Sequence, residues 1–132
     1  MKRATTFLLL LCAAAVHAQT DCPHASEVKQ AQMLGLWRAE FAGQGHAGTL
    51  LLEKHAFYSL SFSGFINRGG ERRQLAGDVE DGEFTLEESA DGKRIAATWL
   101  GEVVEGSCGK EIRGTWSAEG AAGVHAFILR KQ

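Results

Sequence analysis

Leu34-Gly35-Leu36-Trp37, near the start of the chain, and Ile112-Arg113-Gly114-Thr115-Trp116, near its end, decide how the fold is read. Each sets a glycine two residues before a tryptophan in a short apolar run, the spacing that places both on one face of a strand. Between them, glycines and charged turn residues recur at intervals of about ten to twelve, as in an all-β sandwich or barrel. The two stretches therefore frame an expected all-β fold: a single eight-stranded antiparallel up-and-down β-barrel with a short N-terminal helix.

The first strand is expected from Leu34 to Ala42, with Gly35, Trp37, Ala39 and Phe41 inward, and Gly43-Gln44-Gly45 turns the chain. The second, Ala47 to Lys54, offers Leu50 and Leu52 to the core and breaks its alternation at Leu51. The third, Tyr58 to Asn67, alternates most cleanly: Tyr58, Leu60, Phe62, Gly64 and Ile66 face in against a run of serines, and only Phe65 spoils the outer face. Arg73 to Val79 follows, with Leu75, Gly77 and Val79 inward, and Asp81-Gly82 supplies a strong hairpin signal. The fifth strand points Phe84 and Leu86 inward and ends at Asp91-Gly92, and the sixth runs from Arg94 to Val104 with Ile95, Ala97, Trp99, Gly101 and Val103 inward. Gly106-Ser107-Cys108-Gly109 leads to the seventh, and Val124 to Lys131 forms the last. Glycines inside strands, at Gly35, Gly64, Gly77, Gly101 and Gly114, fit a sheet that curls tightly on itself. Because every connection reads as a hairpin, the barrel is preferred to an open sandwich.

Lys2 and Arg3 precede an apolar run, Phe7 to Val16, that is too short to span a bilayer as a helix, and Val16-His17-Ala18 offers small residues for cleavage after Ala18. Residues 1–18 are expected to be a signal peptide, residues 19–33 an N-terminal segment with a short helix from Ala25 to Met33 capped by Ser26, and residues 34–132 the barrel. Lipidation at Cys12 is the competing reading of the leader, though Leu9-Leu10-Leu11 lacks the small residue usual before such a cysteine. Removing Lys2 and Arg3 from the 14 basic residues leaves 12 against 16 acids, a formal net charge of −4 that argues against nucleic acid as a partner. No second long apolar run exists, so no membrane span is expected after cleavage. Cys22 and Cys108 then remain alone in an oxidising compartment, periplasmic or extracellular, and are expected to pair.

With Gly-x-Trp on the first strand, a short helix before it and Arg130 on the last strand, the chain resembles the calycin group: lipocalins, fatty-acid-binding proteins, avidins and bacterial metalloprotease inhibitors. The resemblance implies that Trp37 packs against Arg130 across one barrel end. The chain departs from each family. It is shorter than a typical lipocalin, lacks a recognisable avidin biotin set, and places its cysteines differently from the bacterial inhibitors.

In such a barrel both cysteines fall at one end, plugged by the helix, and the opposite rim carries Arg68, Arg72, Lys93 and Arg94 on glycine-rich turns. Trp37, Tyr58, Phe62, Trp99 and Trp116 are the candidate interior ligand contacts, though inward aromatics more often form a filled core. No catalytic set emerges. His24, His46, His55 and His125 lack metal-like spacing, and the acidic run from Asp78 through Glu83, Glu87, Glu88 and Asp91 does not fit an EF-hand and reads as a solvated hairpin. No cofactor or metal is expected, and no enzymatic activity. The leading expectation is a binding barrel for a small, partly apolar ligand; the alternative is an inhibitor or interaction module acting on a secreted hydrolase of protease or lysozyme type.

Overall fold

The computed structural model describes residues 22–45 and 47–132. The leader, its cleavage after Ala18, Cys12 and His46 lie outside the described residues. Eight strands run in chain order around a closed, wholly antiparallel barrel: β1 (Gly35–Phe41), β2 (Ala47–Lys54), β3 (Phe62–Arg68), β4 (Glu71–Glu80), β5 (Glu83–Ser89), β6 (Ala97–Val103), β7 (Glu111–Ala118) and β8 (His125–Lys131). Strand β8 closes on β1, with Trp37 opposite Lys131 and Ala39 opposite Leu129. The alternation seen in the sequence produces this arrangement. Residues at every second position turn inward, where Trp37, Leu50, Phe62, Ile66, Leu86, Trp99, Ile112 and Leu129 are fully buried. Burying each such side chain contributes about 1.5–3 kcal/mol.

Closure demands close backbone approach, and the interior glycines supply it. Gly101 stands opposite Gly114 between β6 and β7, and a Cβ on Gly114 would run into the Leu100 carbonyl. At Gly64 it would run into the carbonyl of Leu51 on β2.

The N-terminal segment plugs one end, but not as the continuous helix expected from Ala25 to Met33. A 3-10 turn, Ala25–Glu27, and a one-turn helix α1, Gln30–Met33, flank Val28, which is extended and fully buried. Anchoring Val28 in the core interrupts the helix. His24 and Lys29, rather than Ser26, occupy the cap positions, their backbone N–H groups donating to Glu27 and Gln32. The indole of Trp37 donates to the Met33 carbonyl at 2.7 Å, tying the plug to β1. The Cys22–Cys108 disulfide joins the same segment to the β6–β7 turn at the end that strand parity assigns to both cysteines. Among the described residues no helix is long and apolar enough to cross a membrane.

Two strands start three or more residues later than expected. Strand β3 begins at Phe62, not Tyr58, because residues 55–61 form a self-bonded loop; Tyr58 and Leu60 are exposed rather than inward. Strand β6 begins at Ala97, because the Asp91 carboxylate accepts from the backbone N–H of both Lys93 and Arg94 and holds that stretch in a turn, leaving Ile95 exposed. The contact between Trp37 and Arg130 is also corrected. On β8 the inward parity belongs to Phe127, Leu129 and Lys131, so Lys131 supplies the cation, 5.9 Å from the Trp37 ring. Arg130 points outward and pairs with Glu40 and Glu111.

Candidate functional site

The end opposite the disulfide was the expected ligand mouth, and it is filled. The inward parity of β5 runs Phe84, Leu86, Glu88, so its last inward residue is an acid, 1% exposed. Arg68, the last inward residue of β3, grips that carboxylate with both terminal nitrogens at 2.7 and 2.9 Å. Trp99 from β6 and Trp116 from β7 both donate their indole N–H to Glu88 Oε1, at 2.8 and 2.9 Å. Phe41, the end of β1, completes the plug, with the Arg68 guanidinium 5.5 Å from its ring and 5.0 Å from that of Trp116. Burial alone would push the Glu88 carboxyl up; the Arg68 bonds and charge and the two indoles outweigh it and hold the group below its ordinary value. Among the described residues no buried side-chain polar atom lacks a partner. The cluster is a satisfied ion pair in an aromatic box, with no donor or acceptor left pointing at an empty space.

The candidate residues are accordingly dispersed. Of the rim set, Arg68 turns inward, Arg72 lies on the outer wall with its guanidinium 3.8 Å from the Phe65 ring, and only Lys93 and Arg94 share an exposed loop. Of the interior set, Trp37, Phe62 and Trp99 are buried and Trp116 half-buried, while Tyr58 is outside the barrel. Phe62 stacks on Phe84, 5.8 Å between ring centres. By composition Glu88 belongs to a solvated acidic hairpin, yet it is buried. Its two-residue spacing from Leu86 was the signal that it faces in.

The most exposed apolar groups gather elsewhere, on the β2–β3 loop at the disulfide end. Phe57 is 87% and Leu60 80% exposed, with Tyr58 between them also largely in solvent. The loop holds its own shape. His55 Nδ1 accepts from the backbone N–H of Phe57 and Tyr58 at 3.1 and 3.2 Å, which places the ring proton on Nε2, and the imidazole packs 4.8 Å from the Tyr58 ring. The His55 N–H donates to the Ser61 carbonyl, and the Ser61 N–H to that of Tyr58. Two side chains tie the loop down: Ser61 Oγ donates to Asp78 on β4, and the Gln30 amide donates to the Ser61 carbonyl.

Two grooves lie between the loop and the outer wall of β4 and β5, and both are lined by carboxylates. One of about 700 Å³ runs from α1 past Leu60 to Asp78, Glu80 and Glu83; Lys29 is its single base. The other, about 200 Å³, lies between His55 and Tyr58 and the outer wall at Asp78 and Glu87. The result is a self-bonded apolar loop with carboxylates along the β4–β5 wall beside it, while an adjoining groove on the His55 side also carries Lys93 and Arg94. A scan against protein-family models finds no match for the chain, and a search of curated proteins finds none either.

Proposed function

We propose that the protein is a non-enzymatic interaction module of the periplasm or extracellular space, docking through residues 55–61 on a basic secreted protein, a hydrolase of protease or lysozyme type. The observation that carries this reading is the preorganised loop with Phe57 and Leu60 standing free in solvent. Burying either side chain against a partner is worth about 1.5–3 kcal/mol. Because His55, Ser61 and Gln30 already fix the loop, little ordering entropy opposes docking. The carboxylates beside it, Asp78, Glu80, Glu83 and Glu87, select a cationic rim on the partner and speed encounter. The calycin resemblance belongs to this proposal as well: the group includes bacterial protease inhibitors, and the closed eight-stranded barrel is compatible with it. The expectation of a small interior ligand loses support, because Trp99, Trp116, Phe41, Arg68 and Glu88 occupy the space it would enter.

Titration calorimetry against a basic c-type lysozyme and a set of secreted serine and metalloproteases tests the reading, with enzyme activity followed in parallel. Binding to at least one, weakened by salt and reduced at least tenfold in Phe57→Ser/Leu60→Ser, is the expected outcome. Absence of binding to every member at high micromolar concentration, or binding that the double variant leaves unchanged, would sink it.

A further inference from the structure

The tip of the 55–61 loop hangs on a single atom. The backbone N–H groups of Phe57 and Tyr58 both donate to His55 Nδ1, at 3.1 and 3.2 Å, and neither has another acceptor among the described residues. The base of the loop is held separately. The Ser61 backbone bonds to the His55 N–H, the Tyr58 carbonyl and the Gln30 amide, and its hydroxyl to Asp78, and none of these bonds uses the imidazole. A ring nitrogen accepts only while its lone pair is free. With the proton on Nε2, Nδ1 is an acceptor; in the imidazolium both nitrogens are donors. Protonation sets a third N–H against the two that Nδ1 now holds, so both bonds fail together. Histidine is the side chain whose ordinary titration falls between about pH 5 and 8.

We propose that His55 is a proton-operated latch on this loop: the neutral ring holds Phe57 and Tyr58 in one presented conformation, and the charged ring releases that tip while the base at Ser61 stays tied. The charges around the ring do not decide its behaviour. Asp78 of β4 and Glu87 of β5 face it across one groove, Lys93 and Arg94 of the β5–β6 turn across the adjoining one, and Lys54 precedes it on β2. Glu88 also borders the adjoining groove but turns its carboxylate inward to Arg68. Acids and bases thus surround the ring together, and among the described residues none is ion-paired with it. The two N–H groups at Nδ1 are its hydrogen-bond partners, and they set the sign: the latched loop needs the unprotonated ring. On the functional reading above, docking through the preorganised loop therefore weakens as pH falls, and docking in acid expels a proton. Apparent affinity follows the fraction of molecules whose tip is latched. Loss of two such bonds corresponds to a drop on the order of tenfold.

NMR relaxation of the backbone amides in the mature, disulfide-bonded protein, between about pH 8 and pH 5, tests the latch without any hydrolase. In the wild type the Phe57 and Tyr58 amides are expected to lose order as the His55 ring resonances titrate, while the Ser61 amide keeps its own. His55→Asn retains an acceptor for the N–H two residues on, as in an Asx turn, but does not titrate, so its tip should stay ordered at both ends of the range. His55→Ala has no acceptor and should be loose throughout. A wild-type tip equally ordered at both pH values overturns the proposal, as does a His55→Asn tip that loosens in acid or a His55→Ala tip as ordered as the wild type. Calorimetry against the basic c-type lysozyme and the protease set at both pH values separates this inference from the functional reading on which its consequence rests. A pH-dependent tip with no hydrolase bound at either pH sinks the functional reading and leaves the latch standing. A hydrolase bound through the loop, with a pH dependence that His55→Asn shares in full, overturns the latch as the control on docking.

Discussion

Arg68→Met isolates the mouth cluster, because it removes the guanidinium and keeps an apolar stem between Phe41 and Trp116. Glu88 is left buried with only two indole N–H groups for company. Breaking one side of a buried ion pair costs about 3–5 kcal/mol, and since the Arg68 side chain keeps 18% of its surface in water, the low end of that range is expected. Arg68→Met/Glu88→Gln removes both charges and leaves an amide oxygen for Trp99 and Trp116. It should be more stable than Arg68→Met alone, with a coupling of about 1–2 kcal/mol between the two sites. Urea unfolding with the disulfide intact, followed by tryptophan fluorescence, reads these differences. The pH dependence supplies a second check. A carboxyl held below its ordinary value adds stability above that value and loses it as pH falls through the folded pKa, so the wild type sheds this contribution from about pH 4.5 downward. In Arg68→Met burial dominates and raises the folded pKa of Glu88, so that variant loses stability as pH rises. The gap between the two proteins should be widest at neutral pH and close in acid. A cost under ~1 kcal/mol at neutral pH, or a gap that stays constant, refutes a buried, paired carboxylate.

Three further outcomes follow from the geometry. The Cys22–Cys108 bridge spans 86 residues, so reducing it or making Cys22→Ser/Cys108→Ser should cost about 4–5 kcal/mol and lower Tm in a thermal melt. Gly64→Ala drives a methyl group into the Leu51 carbonyl and should cost about 1–3 kcal/mol by chemical denaturation. His24 is raised above 6.5, first by its hydrogen bond to Glu105 and then by that carboxylate's charge, so its tether to the β6–β7 turn is complete below 6.5 and released as pH rises through the raised value. An NMR titration should show this shift in the wild type and lose it in Glu105→Gln.

The barrel was legible in the sequence because closure imposes a two-residue period and interior glycines, and both are one-dimensional signals. Parity alone brought Cys22 and Cys108 to one end. What the sequence concealed arises where a local bond overrides the period. Tyr58 and Leu60 continue the alternation of β3 yet lie outside it, because the His55 ring captures two backbone N–H groups and bends the chain away. Arg94 and Ile95 likewise leave β6 for the turn built on Asp91. Glu88 failed in the opposite sense. Its composition marked it as surface while its period marked it as interior, and the period prevailed because Arg68, 20 residues earlier on β3, is brought to it across β4 by the curl of the sheet.

That outcome bears on where function sits. An acid buried at a barrel mouth is costly unless every lone pair is used, and Glu88 spends its own on Arg68, Trp99 and Trp116. A ligand entering there would have to break the ion pair and replace three donors at once, a cost of several kcal/mol before any gain. The β2–β3 loop asks for no such exchange. Its backbone bonds are already made, and Phe57 and Leu60 lose only water on contact. The same accounting of polar groups that closes the inside of the barrel therefore leaves recognition to its outer surface, where a partner gains apolar contact without unmaking any bond that holds the fold.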